Sequence, residues 1–175
     1  MSGIKIQHLP QYTVSDYEQW EGDWELIDGI PYAMSPSANK KHQIISSNLY
    51  FQIRQQLDEC SCKILYELDW RINENNILRP DLVIVYDDDQ REFIYNTPAL
   101  IIEILSPSTA EIDKVLKYNK YETAGLPWYI IVDPETYETI IYQLVDNSYL
   151  RVTDSEFILE GDCSVAIDWE RVFKD

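Results

Sequence analysis

Apolar residues recur at every fourth position from Ile45 through Leu49 and Ile53 to Leu57. That is the spacing of one inward face of an α-helix. The helix is predicted to open at Ser35-Pro36-Ser37 and to end near Leu57. His42 stands three residues before Ile45 and so shares the inward face, in the first turns. Residues 64–72 alternate instead: Ile64, Tyr66, Leu68, Trp70 and Ile72 against Lys63, Glu67, Asp69 and Arg71. A period of two predicts a half-buried strand. Residues 81–86 (DLVIVY) and 99–105 (ALIIEIL) are short, nearly all apolar and β-branched. They read as central strands covered on both faces.

Weaker patterns complete the chain. Residues 13–20 predict a short helix with a Ser15/Glu18 capping box. Residues 24–34 predict a hairpin around Asp28-Gly29, a strong tight-turn pair. Residues 109–124 predict a second long helix, with a Ser108/Glu111 capping box and Gly125 as its stop. Strands follow at 128–132, 138–144 and 149–152, with a turn at Asp146-Asn147-Ser148, and residues 169–173 predict a closing turn of helix. The order implies an α/β domain, a mixed β-sheet flanked by helices. With no repeat or long linker, residues 1–175 are expected to form one domain.

Composition adjusts this picture in three places. Five Trp and thirteen Tyr point to a well-filled interior and to a homodimer interface. No apolar run reaches the ~20 residues of a membrane helix, and the first residues carry no apolar signal core. Cys60, Cys62 and Cys163 are an odd count with no zinc-ligand spacing, and are expected to be thiols in a reducing cytoplasm. The net charge of −17 matters most. Such a chain repels nucleic acid unless a basic patch or a divalent metal offsets its field. That disfavours a simple DNA-binding module and leaves room for an enzyme that meets phosphate through a metal.

Two carboxylates interrupt the apolar strands. Asp81 opens one directly after Pro80, and Glu103 lies between Ile102 and Ile104 in the other. Charge in a central strand is costly to desolvate unless it is paired or bound to a cation. Adjacent strands would bring both oxygens to one point, suited to Mg²⁺ with several waters. The plain alternative is a capped strand end and a core ion pair. Asp113, Lys117 and Tyr121 fall four apart on one helical face. They form either a surface Asp–Lys pair or a lysine reaching toward the strand ends. Glu25 is either a solvent-facing strand residue or a carboxylate near the metal. His42, beside Lys40 and Lys41, is either a core histidine or a phosphate contact near a helix start. A Gly-rich phosphate loop and a Gly-x-Ser-x-Gly elbow are both lacking, and two histidines are too few for a zinc site built on His pairs.

Taken in order, these segments resemble a known family. The series is Trp24 to Gly29 (WELIDG), His42, Arg79 to Val85 (RPDLVIV) and Pro98 to Thr109 (PALIIEILSPST). It continues with Asp113-x-x-x-Lys117-x-x-x-Tyr121 and Ala124-Gly125-Leu126-Pro127-x-Tyr129-x-x-x-Asp133-Pro134. It resembles a large family of uncharacterised bacterial proteins described as restriction endonucleases, within the PD-(D/E)XK nuclease superfamily. The resemblance implies a restriction-endonuclease-like core. It implies Asp81 and Glu103 as metal-holding carboxylates, with the Ile104 carbonyl as a third ligand. It also raises Glu25, His42 and Lys117 to site residues. One position departs from the wider superfamily: the lysine usual two residues after the acid is replaced by Leu105. In this family Lys117, on the following helix, takes that place.

The function expected is therefore metal-dependent hydrolysis of phosphodiester bonds, with Mg²⁺ or Mn²⁺ as cofactor and DNA as substrate. The rivals are an inactive nuclease fold used for protein or DNA association, and a DNA mimic, which the charge alone suggests.

Overall fold

The computed structural model describes residues 10–34, 39–86, 91–106, 110–159, 161 and 163–174. The chain runs α1 (Val14–Tyr17), β1 (Trp24–Ile27), β2 (Ile30–Ala33), α2 (Lys40–Gln56), β3 (Cys62–Tyr66), β4 (Trp70–Asn73), β5 (Asn76–Leu78), β6 (Leu82–Tyr86) and β7 (Leu100–Ile104). A π-helical segment, Ile112–Lys117, continues into α3 (Tyr118–Thr123). Then come β8 (Trp128–Val132), β9 (Thr139–Val145), β10 (Ser148–Val152), β11 (Glu156–Ile158), β12 (Ser164–Ala166) and α4 (Trp169–Val172).

A six-stranded mixed sheet, ordered β10-β9-β8-β7-β6-β3, forms the centre. β7 and β8 pair in parallel, and the other neighbours are antiparallel. Because side chains alternate across a strand, even-numbered residues of β6, β7 and β8 face one layer. Leu82, Ile84, Leu100, Ile102, Ile104, Ile130 and Val132 pack there with Ile45, Leu49, Ile53 and Leu57. Fully burying each such side chain contributes roughly 1.5–3 kcal/mol. The odd-numbered side, with Val83, Ile101, Tyr129 and Ile131, packs with Tyr121 of α3 and with Ile27, Trp70 and Leu78. Those last three belong to a second sheet, ordered β2-β1-β5-β4.

The predicted hairpin is β1–β2. Asp28 and Gly29 both take positive φ, 51° and 72°, as a two-residue primed turn requires. A Cβ on Gly29 would also come within 3.1 Å of the Tyr12 carbonyl. α2 starts at Lys40, its first turn capped by Asn39, whose side chain accepts from the His42 N–H. Ser35-Pro36-Ser37 lies outside the described residues, as does Ser108 of the second capping box.

Four expectations need correction. α1 is only one turn long, and its box is Thr13/Asp16 rather than Ser15/Glu18. The Asp16 carboxylate accepts from both the N–H and the hydroxyl of Thr13. The alternating run 64–72 is two strands in different sheets, β3 and β4, broken at Glu67 with φ 43°. The long helix after β7 is π-helical over Ile112–Lys117. Its end is as expected: Gly125 takes φ 79°, and the Leu126 N–H donates to the Tyr121 carbonyl. Finally, Cys60 and Cys163 form a disulfide, Cα–Cα 5.8 Å, whereas Cys62 is buried and lies outside it. The cysteines therefore no longer argue for a reducing compartment. Among the described residues no helix is long and apolar enough to cross a membrane.

Candidate active site

β6 and β7 pair with Leu82 opposite Ile102 and Val83 opposite Ile101. Continuing that register by one residue sets Asp81 opposite Glu103. Both are odd-numbered, so both side chains leave the sheet on the face of Tyr121 and the second sheet. The Asp81 N–H lies 3.4 Å from Glu103 Oε2, and the Ile104 N–H donates to Asp81 Oδ2 at 2.7 Å. Like charges directly opposite in a sheet are destabilising. The backbone bond to Oδ2 answers only part of that cost.

Three further predicted residues converge here. Lys117 Nζ lies 2.8 Å from Glu25 Oε1, 3.0 Å from Glu103 Oε1 and 3.4 Å from Asp113 Oδ1. The π-helical turns set Asp113 and Lys117 on the inward side, where both are buried. The surface-pair alternative for these two therefore fails, and Lys117 does not point to solvent. Glu25 is buried, 5% exposed, so its solvent-facing alternative fails as well. Its Oε1 also accepts from the Arg79 N–H at 2.8 Å, two residues before Asp81. His42 Nε2 is 3.2 Å from Asp81 Oδ2. Its Nδ1 is buried with no hydrogen-bond partner among the described residues. Asp81 is the most open of the carboxylates whose exposure bears on access: its side chain is 21% exposed, against 3% for Glu103.

Burial pushes the Glu103 carboxyl well up. Lys117 opposes that shift, while Asp113, Asp81 and Glu25 reinforce it. Burial pulls Lys117 down, but Glu103 and Glu25 outweigh it and hold the ammonium protonated, well above its ordinary range. His42 is pulled down by burial and moved up on balance by its hydrogen bond to Asp81 and that carboxylate's charge. Three buried carboxylates, Glu25, Glu103 and Asp113, thus surround one ammonium, and the more open Asp81 lies beside them against His42. Charge stays in excess on the negative side, which is the chemistry of a cation site. Among the described residues no cluster of three or more His, Cys, Asp and Glu is arranged as a metal-binding set. A pair of carboxylates with backbone oxygen and water still suits Mg²⁺, which keeps much of its hydration.

Residues 14–163 match the model of a family, Uma2, described as "Putative restriction endonuclease". The chain belongs to that family. The chain is also similar to other bacterial sequences: an uncharacterised protein of Synechocystis sp. is 32% identical over 79% of this chain and 77% of its own length. A second from the same organism is 25% identical over 86% of this chain and 88% of its own. A crystal structure titled as a putative nuclease belonging to DUF820, from Anabaena variabilis, superposes with a TM-score of 0.71. It covers 92% of this chain and 97% of that one at 16% identity, a likeness of fold. The fold of this Uma2 protein is thus the mixed α/β nuclease-type core that its strand pattern implies.

Some neighbours of the site were not anticipated. Tyr121 donates to Glu103 Oε1 at 2.9 Å, and Tyr129 donates to the Asp113 carbonyl at 2.9 Å. Asp69, placed by alternation on a polar face, is 4% exposed. It accepts from Arg79 Nε at 2.7 Å and from the Tyr17 hydroxyl at 2.9 Å. The clue was the Arg79-Pro80-Asp81 run itself: an arginine at the entry to a buried strand needs its own partner.

Proposed function

We propose that this protein is a metal-dependent endonuclease that hydrolyses DNA phosphodiesters at Asp81 and Glu103. The observation that carries the reading is the cross-strand placement of these two carboxylates in a cluster with too little positive charge. Asp81 and Glu103 would hold Mg²⁺ or Mn²⁺, with the backbone of Ile104 beside them. When bound, the cation would supply Lewis acidity toward the phosphate and acidify a water. Lys117, kept protonated by Glu103 and Glu25, sets a fixed positive charge beside that point and stabilises negative charge developing on the phosphate. Glu25 holds Lys117 with one oxygen that also accepts from Arg79, so the ammonium and the entry to β6 are fixed together. His42 orients the Asp81 carboxylate from the start of α2, as a partner behind a metal ligand does. A cation would also bring a polyanion to a chain of net charge −17.

The test is cleavage of DNA with and without Mg²⁺, by the wild type and by Asp81→Ala. The expected result is Mg²⁺-dependent cleavage that falls about a hundredfold or more in the variant. Equal cleavage by both proteins would remove Asp81 from the reaction.

A further inference from the structure

Beside the acidic cluster lies a groove of about 370 Å³ with a different chemistry, lined by Tyr17, Trp20, Trp24, Arg71, Arg79 and Phe93 among others. Arg79 joins the two places. Its backbone N–H donates to Glu25 in the cluster, while its guanidinium reaches Asp69 in the groove wall and also Asp23. The aromatic rings are already arranged edge to face. Trp20 meets Tyr17 at 5.7 Å and Trp24 at 5.9 Å between centroids. The Trp24 indole N–H is taken by the Glu21 carbonyl, which leaves its ring for stacking contacts. The Arg71 guanidinium lies 3.9 Å over the Phe93 ring, and one of its ends binds Glu18 at 2.7 Å. Its side chain is only 10% exposed, yet its Nε is buried with no hydrogen-bond partner among the described residues. A buried N–H left unpaired is costly, so the stacking of Arg71 on Phe93 is held at a price in stability.

The groove does not fit a phosphate. Its two arginines are matched by Glu18, Asp23 and Asp69, so it offers no net positive charge to an anion. A neutral, flat ring suits it better: the aromatic side chains of the wall offer faces on which it can stack, and Arg71 holds a guanidinium plane beside them. We infer that this groove takes an unpaired nucleobase of the substrate strand, next to the phosphate presented to Asp81 and Glu103. The assignment rests on the nuclease reading for its substrate, and it adds that the strand is bound single-stranded or locally opened. Stacking tolerates any base, so the groove confers a preference for unpaired nucleotides rather than for a sequence.

The test is binding in EDTA, where cleavage is blocked, at low salt. Tryptophan emission of the wild type is titrated with short oligo(dT), with oligo(rU), and with an abasic strand of the same length and charge. Affinity is read in parallel from the anisotropy of labelled strands. The expected result is quenching by oligo(dT), and affinity about tenfold or more weaker for the abasic strand and for Trp20→Ala. Trp20→Tyr, which keeps an aromatic face, stays within a few-fold of wild type and controls for folding. Oligo(rU) equal to oligo(dT) would show that the groove reads the base without regard to the sugar. Abasic and oligo(dT) strands binding alike, Trp20→Ala binding like wild type, or no saturable binding of oligo(dT) would each overturn the assignment. Base-dependent binding without Mg²⁺-dependent cleavage would keep the groove and defeat the nuclease reading. Cleavage indifferent to bases would do the reverse.

Discussion

The two faces of the central sheet are made by the same three strands and could hardly differ more. Toward α2, β6, β7 and β8 present Leu82, Ile84, Leu100, Ile102, Ile104, Ile130 and Val132, apolar without exception. Toward α3 and the smaller sheet they present Asp81, Glu103 and Tyr129 among Val83, Ile101 and Ile131, and they meet Glu25, Asp113 and Lys117. One face is a packed layer whose worth is the area it removes from water. The other buries charge, which seldom stabilises on net. A chain that keeps three buried carboxylates around one ammonium, with Asp81 at their edge, is expected to give up stability there for chemistry, with the apolar face compensating.

Changes on the two faces should therefore fail differently. The largest effect is expected from Lys117→Met. It leaves Glu25, Glu103 and Asp113 without their shared cation, at a cost of about 3–5 kcal/mol in EDTA. Denaturant unfolding would measure it, and added Mg²⁺ should recover part of the loss, because a ligand that binds only the folded state stabilises it. On the opposite face, Ile102→Ala is expected to cost about 2–5 kcal/mol through lost burial and a cavity. Its loss should not respond to Mg²⁺. A deficit against wild type that Mg²⁺ changes equally in both variants would erase the distinction between the faces.

Next in size is Cys163→Ser. It opens a link spanning 103 residues of sequence between the end of α2 and the β11–β12 ribbon, and is expected to lower stability by about 2–4 kcal/mol. Since both anchors lie on the apolar side, cleavage per folded molecule should hold. The smallest effect concerns Tyr17, beside the groove. Burial, then the charge and hydrogen bond of Asp69, push its hydroxyl from 10.0 up to about 12. A raised pKa means the folded state holds this proton more tightly than the unfolded chain. Its contribution is complete below pH 10 and is lost as pH rises from 10 through about 12. Tyr17→Phe should make the alkaline loss of stability shallower over that window, as followed by thermal unfolding at stepped pH.

The apolar face was the more legible of the two. The runs that became β6, β7 and β8 are buried on both sides, so composition alone marks them as strands. Asp81 and Glu103 stood out because they are charges in such runs. Residues at the join between the two sheets were harder to read. Glu25 sits in a hairpin where alternation suits either face, and only the second sheet's packing buries it. The run from Ile64 to Ile72 kept its period of two across a break at Glu67, so Asp69 seemed exposed where it is buried. Lys117 and Asp113 hold the i,i+4 spacing of a surface pair. It takes the π-helical turns, whose period the sequence does not announce, to bring both inward. The short strands β5, β11 and β12 are three residues each, too few for any periodicity to register.

Calorimetric titration with Mn²⁺ bears most directly on whether Asp81 and Glu103 share a cation, because it needs no substrate. Wild-type protein should take up about one ion, and Asp81→Asn and Glu103→Gln should each weaken that binding at least tenfold while remaining as stable as wild type in EDTA. Undiminished uptake by both folded variants would contradict a metal held between the two strands.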